Sequence, residues 1–150
     1  MMKKRGVVED VEKSTEELLR ELQKAEDVFD FAKENETELE MLSLPEQLEL
    51  LLVKYKKHKK EVIREAGLDA TYGYQIFDGR KNPRRDKLIQ LAFGFPLTVE
   101  ETNRILRAGG VSGLYVRCKR DIVCMYCLQQ GMTVDECDEL IALMGEETLV

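Results

Sequence analysis

The sequence predicts an all-α fold, a helical bundle with an N-terminal amphipathic helix and an extra C-terminal helical hairpin. Three observations predict it. Apolar residues recur three and four apart along most of the 150-residue chain, and essentially nothing alternates with the period of two that marks a half-buried strand. Capping-box pairs punctuate this pattern: Ser14 with Glu17, Ser43 with Glu46, Thr98 with Glu101 and Thr133 with Glu136. The last two pairs lie 35 residues apart, and so do the helices around them.

Residues 1–13, MMKKRGVVEDVEK, are charged and lead into no apolar stretch, so they read as a disordered start and not as a signal peptide. Residues 14–40 read as an acidic amphipathic helix and linker. A helix from Ser14 to about Lys33 would align Leu18, Leu22, Ala25, Phe29 and Ala32 on one stripe. Two heptads are too few for a coiled coil, so the stripe is a packing face. The next helix opens at Ser43 with Pro45 in its first turn, where a missing N–H is tolerated. Leu48, Leu51, Leu52 and Tyr55 line its inner side.

Residues 59–83, KKEVIREAGLDATYGYQIFDGRKNP, read as two short helices joined by a tight turn and followed by a basic loop. The first, at about 60–66, carries Val62, Ile63 and Ala66 on one face and ends at Gly67, a residue tolerant of positive φ. Asp69 is placed to cap the second, which closes at Gly79. Arg80, Lys81, Arg84 and Arg85 follow around Pro83. Two helices with a cationic exit have the shape that seats a helix in a DNA major groove.

The segment resembles the Cro/repressor-type (XRE) helix-turn-helix family, whose members often carry a turn such as Ala-Gly-Val-Ser and an exit such as Gly-Lys-Arg-Asn-Pro. Here these read Ala66-Gly67-Leu68-Asp69 and Gly79-Arg80-Lys81-Asn82-Pro83, with Gln75-Ile76 between them. The resemblance covers about residues 44–106 and implies a lambda-repressor-like bundle over 44–110. Two positions depart from it. The family usually has a small residue where Ile63 stands and a branched apolar one where Gly73 stands, and in that fold the two touch. The pair reads as an exchange that conserves volume, which cores tolerate.

Downstream, RRDKLIQLAFGFPLTVEETNRILRAGG recurs as KRDIVCMYCLQQGMTVDECDELIALMG. Residues 111–150 therefore read as a helical hairpin repeating 84–110. The register bears on Cys118, Cys124, Cys127 and Cys137, a number that in other settings signals zinc. Cys124, Cys127 and Cys137 fall on Ile89, Ala92 and Thr102 of the first copy, slots filled there without ligand chemistry. The cysteines thus read as small buried apolar residues, with no metal and no cofactor expected. Disulfides are not expected in a reducing cytoplasm.

The formal net charge of −6 hides an uneven distribution. Residues 1–50 hold 7 basic and 15 acidic side chains, residues 51–117 hold 14 and 7, and residues 118–150 hold 2 and 7. The positive block coincides with the two short helices, which favours a phosphate partner there. No Gly-rich phosphate cradle, nucleophile set or metal-ligand pattern appears, and the lone His58 sits among lysines, so no enzyme is expected. No apolar run reaches the ~20 residues of a membrane helix. A cytoplasmic protein without membrane contact is the expectation.

The leading reading is sequence-specific binding of double-stranded DNA by a transcriptional regulator. Helix 70–77 would enter the major groove. Ala70, Thr71, Tyr74 and Gln75 would read bases, because Gln pairs bidentately with adenine and small or methyl-bearing residues touch a thymine methyl. Lys59 and Lys60 would grip one phosphate strand, and Arg80, Lys81, Asn82, Arg84 and Arg85 would anchor the exit loop. The family resemblance implies a homodimer. The rival reading is a protein-interaction module that keeps the fold without DNA, with the acidic N-terminal helix as a site for a basic protein partner. In an intermediate form, the acidic N-terminal segment covers the basic face.

Overall fold

The computed structural model describes residues 13–36 and 42–150. Of the disordered start expected for residues 1–13, residues 1–12 lie outside the described residues, as do the linker residues 37–41; Lys13 is described and donates to Glu21 and Asn35 at 2.8 and 2.6 Å. Every regular element among those described is a helix, and the protein is all-α.

The N-terminal segment does not form one helix. α1, Thr15–Lys24, starts where the Ser14 hydroxyl accepts the Glu17 N–H at 3.1 Å. It stops at Ala25, and α2, Val28–Glu34, begins afresh at Asp27. The Asp27 carboxylate accepts the N–H groups of Phe29 and Asp30 at 2.8 and 3.4 Å. A capping aspartate competes with helix continuation. The restart also turns the apolar stripe: Phe29, expected inside, is 75% exposed, and Phe31 is buried with Leu18 in its place.

α3, Leu44–Tyr55, opens with the complete Ser43–Glu46 capping box and buries two faces. Leu48, Leu51 and Leu52 join the main core, while Leu50 packs under α1 and α2 with Leu18 and Phe31. α4, Lys59–Glu65, and α5, Ala70–Phe77, follow; α4 packs on α5, and α3 packs on α5 as well.

The remaining helices form two hairpins, α6 (Arg85–Gly94) with α7 (Val99–Ala108) and α8 (Lys119–Gln129) with α9 (Val134–Leu143). α6 is the central element. Its residues from Leu88 to Gly94 are all buried, and it packs against α4, α7, α8 and α9. Gly94 lets α4 come close, because a Cβ there would stand 2.3 Å from the Val62 carbonyl oxygen.

The two hairpins join through a reciprocal pair of ion bridges. Arg85 reaches Asp121 with bonds of 3.0 and 2.7 Å, and Arg120 reaches Asp86 with two of 2.8 Å. Each arginine belongs to one copy and each partner to the other, the pattern of an isologous contact across a local two-fold. The symmetry extends past the helices. Arg85 also donates to the Ser112 and Gly113 carbonyls, and Arg120 to those of Glu147 and Thr148, again 35 residues on. Asn103 accepts the Leu114 N–H as Asp138 accepts that of Leu149. Residues 111–114 therefore close the first unit rather than open the second.

The copies differ at Glu101. Its mate Glu136 is an exposed capping residue, but Glu101 is 5% exposed and also receives bonds from Lys54 and Tyr55 of α3. Burial opposes ionisation of Glu101; Lys54, Tyr55 and the Thr98 N–H outweigh it and hold the carboxyl below its ordinary value. Burial and the adjacent carboxylate push the Tyr55 hydroxyl up. A carboxylate whose folded pKa is depressed contributes stability that is complete above the unfolded value of about 4.3 and fades as pH falls through the folded one. Glu101→Gln is expected to cost about 3 kcal/mol near pH 7, by leaving Lys54 without its counter-charge, and to flatten the acid limb below about pH 5. Urea unfolding of both proteins from pH 7 to pH 3 measures this, and parallel acid limbs would contradict it.

Candidate nucleic-acid interface

The outer face of α5 follows from its burial pattern. Gly73, Ile76 and Phe77 turn inward. Ala70 and Thr71 are exposed, Tyr74 is 42% exposed and Gln75 is half-buried, so all lie on the side away from the core. Tyr72 is partly buried and packs against the core. Asp69 caps the helix by accepting the Tyr72 N–H at 3.1 Å.

The turn before α5 is held from beneath. Gly67 has φ of +72°, a left-handed conformation in which side chains are strained. The buried Gln90 of α6 donates its amide to the Ala66 and Gly67 carbonyls at 3.1 and 3.4 Å, satisfying acceptors at the end of α4. The position of Gly67 also lies against Val134 of α9 and Val150, so the second hairpin supports the same turn. The sequence reading missed Gln90. Its signal was a polar residue inside the apolar run Leu88-Ile89-Gln90-Leu91-Ala92.

Ile63 and Gly73 meet as the sequence reading expected. A Cβ on Gly73 would lie 2.6, 2.7 and 2.9 Å from side-chain carbons of Ile63, so the α4–α5 approach depends on the missing side chain. The glycine also costs helix propensity of about 1 kcal/mol relative to alanine.

The cations divide. Lys60, Lys81 and Arg84 are exposed, as is Asn82. The Lys59 ammonium stands 5.8 Å over the Phe77 ring, near the base of α5. Arg80 is exposed but paired with Asp78 through bonds of 3.0 and 2.7 Å, which hold the Asp78 carboxyl below its ordinary value. Such an exposed pair is weak and exchangeable. Arg85 stands apart from the expected phosphate set. Its Nε and both terminal nitrogens are bonded to Asp121 and to the Ser112 and Gly113 carbonyls, so it holds the hairpins together. The described acidic helix α1 packs on α3 and leaves Ala70, Thr71 and Tyr74 exposed.

Cys124, Cys127 and Cys137 are fully buried in the main core, and Cys118 is exposed. Its bond to Cys124 and burial push the Cys137 thiol up, and burial pushes that of Cys127 up. Among the described residues no group of His, Cys, Asp and Glu side chains is arranged to hold a metal ion, and no helix is long and apolar enough to cross a membrane.

Comparison with protein-family models, with curated proteins and with solved structures yields no match for this chain.

The Ile63–Gly73 contact sets the pose of α5 and can be isolated by a double-mutant cycle. Gly73→Ala in the native background should destabilise by about 1–3 kcal/mol through overpacking. In an Ile63→Ala background the same change should stabilise by about 1 kcal/mol through helix propensity. Equal effects of Gly73→Ala in the two backgrounds, measured by denaturant unfolding, would show that the contact does not set the spacing.

Proposed function

We propose that α4, the Gly67 turn and α5 form a helix-turn-helix of the Cro/repressor type, and that the protein binds double-stranded DNA sequence-specifically as a transcriptional regulator. The observation that supports this reading is the shared outward face of Ala70, Thr71, Tyr74 and Gln75. Lys59 stands over Phe77 at the C-terminal end of α5, Lys60 is exposed beside it in sequence, and the exposed Lys81, Asn82 and Arg84 follow from that same end. Gln75 would make paired bonds to an adenine edge, with Ala70 and Thr71 against thymine methyls and Tyr74 reading beside them. Lys59, Lys60, Lys81, Asn82 and Arg84 would contact phosphates, and Arg80 would join them by exchanging Asp78 for a phosphate. Arg85 is left out of this set because of its bonds to Asp121. A homodimer on two half-sites and a cytoplasmic location belong to the same proposal.

Selection from a pool of random duplexes at two salt concentrations tests it. Enrichment of a common sequence is expected, with affinity falling steeply as salt rises. The Arg80→Ala, Lys81→Ala double variant should weaken binding to all duplexes alike and lower the salt slope by about 1–2. Gln75→Ala should change the preferred sequence and cost about 1–3 kcal/mol on the original one. No binding at low salt would overturn the proposal.

A further inference from the structure

A cleft runs between α2, α3 and α7, on the N-terminal side of the bundle. Its floor is a cavity of about 50 Å³ lined by Leu22, Phe31, Leu50 and Leu51. Its mouth, about 340 Å³, is bordered by Phe29, Lys33, Glu36 and Glu100. Ala32, Lys54, Glu101 and Arg104 line both, so floor and mouth adjoin.

The polar groups around the floor are already bonded, with one exception. The Gln47 amide donates to the Leu42 carbonyl at 3.0 Å, and Glu101 is bonded by Lys54 and Tyr55. Arg104 is half-buried and has no hydrogen bond or ion pair to a described residue. The equivalent position in the second copy is Glu139, so this cation is no requirement of the repeat. A guanidinium with no partner among the described residues, at the edge of an apolar cavity, has the fork geometry for a carboxylate.

We propose that this cleft binds a small amphipathic monocarboxylate, with its tail on the apolar floor and its head on Arg104. The charges at the mouth decide the class. Glu36 and Glu100 would repel a polyphosphate or dicarboxylate, whereas a single carboxylate meets Arg104 with Lys33 beside it. The floor decides the size. Against a cavity of roughly 150 Å³ that takes the six carbons of benzene, it takes about two carbons, so the end of a short alkyl tail fits the floor and the rest of the tail lies along the mouth. Phe29, exposed at the rim, would close over the tail. The site does not depend on the DNA reading, and its test contains no DNA.

Methyl NMR of the full chain, titrated with sodium hexanoate, tests the proposal. Saturable shifts at Leu22, Leu50 and Leu51 are expected, with a dissociation constant of about 1 mM or tighter. Acetate, which has the head without the tail, should shift none of them at the same concentration. 1-Hexanol, the tail without the carboxylate, should bind about tenfold more weakly. Arg104→Gln, judged folded by an unchanged amide fingerprint away from the cleft, should weaken hexanoate about tenfold and leave hexanol as it was. No saturable shift with hexanoate, equal binding of hexanol, or full hexanoate affinity in Arg104→Gln would each overturn it.

Discussion

α6 is buried from Leu88 to Gly94, where a polar side chain is costly unless it is bonded. Its one polar residue in the buried run, Gln90, bonds the last carbonyls of α4. The same helix brings Gly94 against the Val62 backbone. Through these two contacts the core of the hairpin pair is tied directly to the turn that aims α5. The inner face of α5 is then seated by Ile63 against Gly73, and its outer face is left to solvent. Sequence sets the packing of α6, packing sets the turn, and the turn sets which side chains of α5 are offered to a partner.

The hairpin repeat explains how so short a central helix is held. Arg85 and Arg120 each close a bridge to the other copy, with Asp121 only 4% exposed on its side chain and Asp86 far more open. Breaking a bridge to a buried partner leaves an uncompensated charge, so the Arg85–Asp121 side is the costlier one to lose. The copies then diverge in what packs on them. Leu91, Gly94 and Phe95 of the first are buried where α3 and α4 lie, and their mates Tyr126, Gln129 and Gln130 are exposed. The duplication supplies a paired core, and one half of it carries the two short helices.

Much of this was legible from the residues. Capping pairs place the starts of α3, α7 and α9 because a Ser or Thr and a Glu three residues on leave little choice. The Ile63–Gly73 contact was legible because the family resemblance implied that the two positions touch and the two residues offset each other in volume. Asp27 was not, since a stripe of period 3.6 ran through it and the cap was visible only locally. Arg85 was misjudged for a related reason. Within RRD it looks like one more exposed cation, and only its mate at Arg120, with each Asp two or more helices away, marks it as internal. Gln90 and Arg104 depend on which groups lie across an interface, which periodicity does not encode.

The central claim is that the outer face of α5, with the cations beside it, is where duplex DNA sits. Amide NMR of the protein titrated with a mixed-sequence duplex at low salt tests this most directly. The account predicts shifts concentrated at residues 59–60, 69–75 and 79–84, with the outer faces of α8 and α9 unmoved. Shifts centred on α8 and α9, or none at any duplex concentration, would contradict it.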